Sequence, residues 1–290
     1  MPVHDGAVRA APASLHTSAR TPFGQVGLHV WPAFEPSRRP VLVALHGWTD
    51  GGIVYESLAS ALGRRWTVMG IDAPAHGLTR WPAAGACEAH YLVADAALQA
   101  AAVIEALPRV AGRRAPVVVA GHSMGGVTAA RVAAALPTVV VHAVLEDPPR
   151  TTARAVRNPV RWRRGLQALQ QLTQNERVGL SRRQNPRWSE VDHEAWARSK
   201  AEVDLNHLRV PVEWGEPLVA LLADVTVPVT LLHGRRELGS IVTPAAAARC
   251  AAACRAGCEV IELDGGHSLR RDATAPYVAV LASILGRYEH

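Results

Sequence analysis

Residues 121–126 read Gly-His-Ser-Met-Gly-Gly, with the apolar run 115–120 directly before them and the alanine-rich stretch 127–136 directly after. A serine set by glycines between a strand and a helix predicts a turn so tight that the serine backbone is strained and its Oγ stands clear of the sheet edge. Gly121 and Gly125 leave out side chains for which such a turn has no room. The helix that starts there aims backbone N–H groups, with their partial positive charge, at the oxygen that turns negative when a carbonyl is attacked. Ser123 is the candidate nucleophile.

Apolar runs punctuated by turn residues predict eight strands, at 14–18, 26–31, 41–45, 67–71, 117–120, 139–145, 229–232 and 259–263. Helical patterns lie between the later ones, at 54–62, 90–107, 127–136, 245–255 and 276–287. Strand and helix alternate from the third strand onward, which predicts an α/β fold whose eight-stranded, mostly parallel sheet carries helices on both faces. The first two strands, joined through Pro22-Phe23-Gly24, read as an antiparallel hairpin at its edge.

One segment breaks the rhythm. Residues 148–224 show no good strand, yet they hold Trp162, Trp188, Trp196 and Trp214, four of the eight tryptophans, and a polar helical stretch at 191–206. This predicts a helical cap (148–224) inserted after strand six of a core made of 1–147 and 225–290. Its aromatic residues would roof an apolar pocket. Trp48, Trp162, Trp188 and Trp196 are the candidate lining residues, packing of cap onto core being the plainer role for each.

Composition narrows the partners. The 290 residues are 49% apolar, and no segment resembles a signal peptide or a membrane span, so a cytoplasmic protein that does not bind membrane is the expectation. The formal charge of +6 and the pI near 9.7 come almost wholly from arginine, Lys200 being the only lysine. The arginines form scattered doublets, with 161–164 the densest cluster, which reads as solvated surface rather than a nucleic-acid stripe. Cys250, Cys254 and Cys258 fall at helical spacing among alanines and read as small buried residues rather than metal ligands. The glycines at 121–126 lack the lysine of a phosphate loop, so neither a nucleotide nor a metal cofactor is expected, only a small-molecule substrate. Oligomeric state leaves no mark on the sequence.

A serine needs a base, and in a strand–helix architecture that base belongs on the loop after the last strand. His267, in Asp264-Gly-Gly-His267, holds that position. The oxyanion needs two N–H donors: the backbone of Met124, next after the serine, and that of Trp48 in the loop after the third strand. His46 reads as a brace for that loop, and His122 as a packing residue whose ring points away from the serine.

His46-Gly47, Asp72-Ala-Pro-Ala-His76-Gly77, Gly121–Gly126 and Gly266-His267, in this order, resemble the motifs of the α/β-hydrolase superfamily. The resemblance implies the α/β-hydrolase fold for the core and a triad of serine, histidine and acid. The acid is open, since the superfamily places it after strand six or strand seven. Asp147 sits where haloalkane dehalogenases and zearalenone lactonases carry it. Glu237 stands three residues past Gly234, the other usual place, and Glu146 is a third candidate. A serine nucleophile excludes the dehalogenase and epoxide-hydrolase reactions, which start from aspartate. The leading expectation is hydrolysis of an ester or lactone of a mainly apolar small molecule through an acyl-serine. Alternatives are carbon–carbon bond hydrolysis of ring-cleavage diketones and acyl transfer or cyclisation in a biosynthetic pathway. A ligand receptor with a slow triad is the remote one.

Overall fold

Hydrophobic periodicity becomes layers in the computed structural model, which describes residues 14–35, 39–81, 90–107, 109–110, 113–149 and 159–289. The N-terminal thirteen residues, 150–158 of the expected cap and the side chain of Arg161 lie outside the described part. Eight strands form one sheet: β1 (Leu15–Thr21), β2 (Gly24–Trp31), β3 (Val41–Leu45), β4 (Thr67–Ile71), β5 (Val117–His122), β6 (Val140–Glu146), β7 (Val229–His233) and β8 (Cys258–Glu262). Their spatial order is β1-β2-β4-β3-β5-β6-β7-β8. Strands β1 and β2 form the edge hairpin, β2 pairs antiparallel with β4, and every other pairing is parallel.

Successive side chains on the central strands serve opposite faces, and both faces are buried. On β3, Val43 and Leu45 pack under α2 (Val93–Glu105), α3 (Met124–Ala135), α7 (Leu218–Asp224) and α8 (Pro244–Ala253). Leu42 and Ala44 face α1 (Glu56–Ala61), α9 (Leu269–Asp272) and α10 (Thr274–Gly286). This two-faced burial explains why the core strands read as continuous apolar runs.

The 159–201 stretch folds as three helices, α4 (Val160–Gln171), α5 (Gln174–Gln184) and α6 (Glu190–Ala201). Thr173 with Glu176 and Ser189 with Asp192 form capping boxes that fix the starts of α5 and α6. Buried Arg177 ties the three together by donating to the carbonyls of Leu169 and Leu172 at the end of α4 and of Ala197 in α6. No helix among the described residues is long and apolar enough to cross a membrane.

Two sequence readings need correction. The 148–224 segment contains a two-residue strand, Val212–Glu213, paired in parallel with Tyr91–Leu92 ahead of α2; two residues are too few for a period-2 pattern to show. Cys250, Cys254 and Cys258 do not share a helix. Helix α8 ends at Ala253, Gly257 turns the chain at φ 90, and Cys258 opens β8. Burial pushes the Cys258 thiol up to about 12, which leaves it a poor nucleophile.

Candidate active site

Parallel strands deliver their C-terminal ends to one rim of the sheet, and three of those ends meet. Strand β5 stops at Ser123, whose backbone is held at φ 52, ψ −117, a region that costs a non-glycine residue of order 1–3 kcal/mol. Its N–H donates to Glu146 O at 2.9 Å and its carbonyl accepts from Gly126 N at 2.9 Å, so both neighbouring elements hold the strained turn. A Cβ on Gly121 would lie 1.9 Å from Gly125 O, and one on Gly125 would lie 2.0 Å from Leu45 O. Gly121→Ala is therefore expected to cost about 3 kcal/mol of stability, read as a lowered urea midpoint, because backbone on both sides must move. A midpoint within about 0.5 kcal/mol of the native value would show that the turn has slack.

Strand β6 hands over to Asp147, a second strained non-glycine residue at φ 42, whose N–H donates to Leu232 O on β7 at 2.8 Å. Its carboxylate is fully buried and accepts from His267 Nδ1 at 2.6 Å. That partner fixes the Nδ1–H tautomer and leaves the Nε2 lone pair as the available base. Asp147 Oδ1 also accepts from Ser240 Oγ at 2.7 Å and Val242 N at 3.0 Å, while Oδ2 also accepts from Ile241 N at 2.9 Å. The other two carboxylates lie elsewhere. Glu237 is exposed and pairs with Arg235 at 2.5 Å, because the segment after Gly234 winds into a 3-10 turn, Arg236–Leu238, that Gly239 ends at φ 105. That turn delivers Ser240 and two backbone amides to Asp147 in place of an acid. Glu146 is buried against Arg270, 3.4 Å from its guanidinium, and burial raises its carboxyl.

His122 packs beside His267. Its ring lies 4.7 Å from that of His267, and its Nε2 donates to His267 O at 2.8 Å. Space for it exists because Gly47, where a Cβ would meet His122 Nδ1 at 2.6 Å, has none. The same missing Cβ would lie 3.3 Å from Ser123 Cβ, so the loop that carries Trp48 passes directly over the serine.

That loop is pinned by neutral histidines and one carboxylate. His46 donates from Nδ1 to Gly47 O and accepts at Nε2 from Ala73 N, while His76 donates to Pro74 O and accepts from Thr49 N. Asp72 accepts from Gly52 N and Leu78 N at 2.7 and 2.9 Å. Lys200, from α6, donates to Thr49 O at 2.7 Å and to Asp50 at 2.6 Å. Burial alone would raise the Asp50 carboxyl, but Lys200, Arg271 and Arg270 around it outweigh that and hold it well below the carboxylate range. Trp48 packs its ring on His76, Tyr91 and His207.

Burial pushes His207 down to about 4, against 6.5 for a solvated imidazole, and moves His46 and His76 in the same direction. The unfolded chain binds more protons between those two values, so stability is whole above pH 6.5 and falls as pH drops through 6.5 toward 4. His207 alone accounts for about 1.4 kcal/mol per pH unit in that window. Urea midpoints at pH 7.5, 5.5 and 4.5 are expected to fall in that order; a flat series would mean these rings are hydrated.

Over the serine lies a cavity of about 660 Å³ whose wall includes Ser123, His267 and the tryptophans 48, 162, 188 and 196. Trp162 is 54% exposed and stands at its mouth. Lys200 and Arg271 also line it, two positions that sequence pattern alone does not single out. Met124 opens α3 one residue past the serine. Among the described residues no group of three or more His, Cys, Asp or Glu side chains is arranged to hold a metal ion.

A serine on a strained strand-to-helix turn, with a histidine and an acid from neighbouring strand ends, defines the class of α/β hydrolases. The chain belongs to the alpha/beta hydrolase family, whose sequence model matches residues 41–280. A serine hydrolase-like protein of Danio rerio is 37% identical over 128 residues, 43% of this chain and 35% of that protein. A 2-(acetamidomethylene)succinate hydrolase of Mesorhizobium japonicum is 30% identical over 130 residues, 45% of this chain and 42% of that one. The matched part thus spans well under half of either relative's length. A crystal structure of an E-2-(acetamidomethylene)succinate hydrolase shares the fold, with a TM-score of 0.71 at 20% identity over 94% of this chain and 100% of that one.

Proposed function

We propose that the protein is a serine hydrolase that cleaves an ester or lactone of a mainly apolar small molecule through an acyl-serine. The observation that carries this reading is the 2.6 Å hydrogen bond from His267 to buried Asp147, made at the wall of the cavity that Ser123 also lines. In the first half-reaction Ser123 Oγ attacks the carbonyl carbon as His267 Nε2 takes its proton, and the negative oxygen is met by the N–H groups of Met124 and Trp48. Collapse breaks the bond to the leaving oxygen, which receives the proton from His267. Water then attacks the acyl-serine with His267 again as base, releasing the acid and restoring the hydroxyl. Asp147 keeps the imidazole in the right tautomer and stabilises its charged form. The naming of one relative as serine hydrolase-like is in keeping with the nucleophile.

Incubation with a fluorophosphonate is expected to add one adduct, located at Ser123 by peptide mass spectrometry, and p-nitrophenyl esters are expected to be cleaved. Absence of both overturns the reading. Turnover of vinylogous diketones with no ester cleavage would replace it by carbon–carbon bond hydrolysis.

A further inference from the structure

Arg271 is a buried cation on the cavity wall whose guanidinium is short of hydrogen bonds. It is 2% exposed, and its Nε and Nη2 have no hydrogen-bond partner among the described residues. The nearest carboxylates stand off, Asp50 Oδ2 at 3.6 Å from Nη1 and Asp192 Oδ1 at 3.8 Å from Nε. Both are already engaged. Asp50 accepts from Lys200 at 2.6 Å and Arg270 at 3.3 Å, and Asp192 accepts from Ser57 and from its own capping box. Trp188 covers one face of the guanidinium, 4.4 Å from its ring centroid. Lys200, the other cation on this wall, spends its donors on Thr49 and Asp50.

A buried guanidinium with idle donors is costly unless something completes it, and a carboxylate is the planar acceptor that its fork matches. Resting on the hydrolase reading above, we propose that Arg271 anchors a free carboxylate on the substrate. The molecule cleaved at Ser123 is then the ester or lactone of an acid that bears a second, unreacted carboxylate. The tryptophans receive the hydrocarbon between the two ends. Asp50 and Asp192, each within 4 Å of the guanidinium, disfavour a more highly charged group and select a single carboxylate.

The test uses p-nitrophenyl monoesters of succinate, glutarate and adipate beside the corresponding p-nitrophenyl methyl diesters, in which a methyl group replaces the charge. At the best chain length the native protein is expected to favour the free acid in kcat/KM by about 10- to 100-fold. Arg271→Gln is expected to bring that ratio close to one. A native ratio near one, or a ratio that survives in Arg271→Gln, overturns the proposal. Calorimetry with the native protein covers the case in which the variant does not fold: the best diacid is expected to bind at least about ten-fold more tightly than its diamide, and equal binding overturns the proposal. Failure of the hydrolase reading has a different signature, no fluorophosphonate adduct at Ser123 and no cleavage of any ester, and the calorimetric comparison still decides the anion site.

Discussion

Ser123→Ala is expected to lower kcat for ester hydrolysis by about a million-fold. Loss of the nucleophile removes the covalent route altogether, and His267 cannot replace it by activating water at the same position. A residual rate of about a thousand-fold over water is expected from the N–H donors of Met124 and Trp48 and from binding. The serine backbone, at φ 52 and ψ −117, adds a stability signature that reports on the strained turn. Alanine inherits the strain, whereas Ser123→Gly releases it, so the glycine variant is expected to be inactive and to melt about 2 °C above Ser123→Ala. The pair is read by ester turnover and by calorimetric melting. An active alanine variant would remove Ser123 from the chemistry, and equal melting temperatures would mean that the turn is not strained.

The parts of this site that are local in sequence were legible there, and the parts that depend on how loops close were not. Ser123 is announced by glycines whose absent side chains are needed within four residues, and His267 by its place after the last strand. The loop over Ser123 could be located because His46-Gly47 ends a recognisable strand. The acid was ambiguous because Glu146, Asp147 and Glu237 all sit at plausible strand ends. Only the 3-10 turn after Gly234, closed by left-handed Gly239, turns Glu237 to solvent and Ser240 inward. The place of His122 beside His267 had no local signal either: the space its ring fills is left by Gly47, 75 positions away. The charged cluster of Lys200, Asp50, Arg270 and Arg271 had no signal at all, since a buried salt bridge spanning 150 or 220 positions looks in sequence like any solvated pair. Of the tryptophans in the 148–224 segment, Trp188 and Trp196 line the cavity half-buried, Trp162 stays exposed at its mouth, and Trp214 packs on the main core instead.

Asp147→Asn isolates the acid from its competitors and is expected to reduce kcat by about 10⁴-fold. The carboxylate takes four donors, His267 Nδ1 and Ile241 N on Oδ2 and Ser240 Oγ and Val242 N on Oδ1, which fills its acceptor positions. An asparagine must turn its NH₂ toward one of those pairs. Facing His267 and Ile241, it forces the imidazole into the tautomer that carries its proton on Nε2, and the base is lost. Facing Ser240 and Val242, it meets Val242 N as the first orientation meets Ile241 N, so in either orientation a fixed backbone donor opposes the NH₂ and the loop after β7 must shift, at a cost of about 2 kcal/mol in stability. Either outcome separates Asp147 from Glu237, whose exposed side chain pairs with Arg235 and whose replacement by alanine is expected to leave kcat within about two-fold. Kinetics on the two variants side by side, with circular dichroism to confirm folding, decide the assignment. A large loss in Glu237→Ala with Asp147→Asn close to native would require the loop after β7 to rearrange when substrate binds and bring the glutamate to His267.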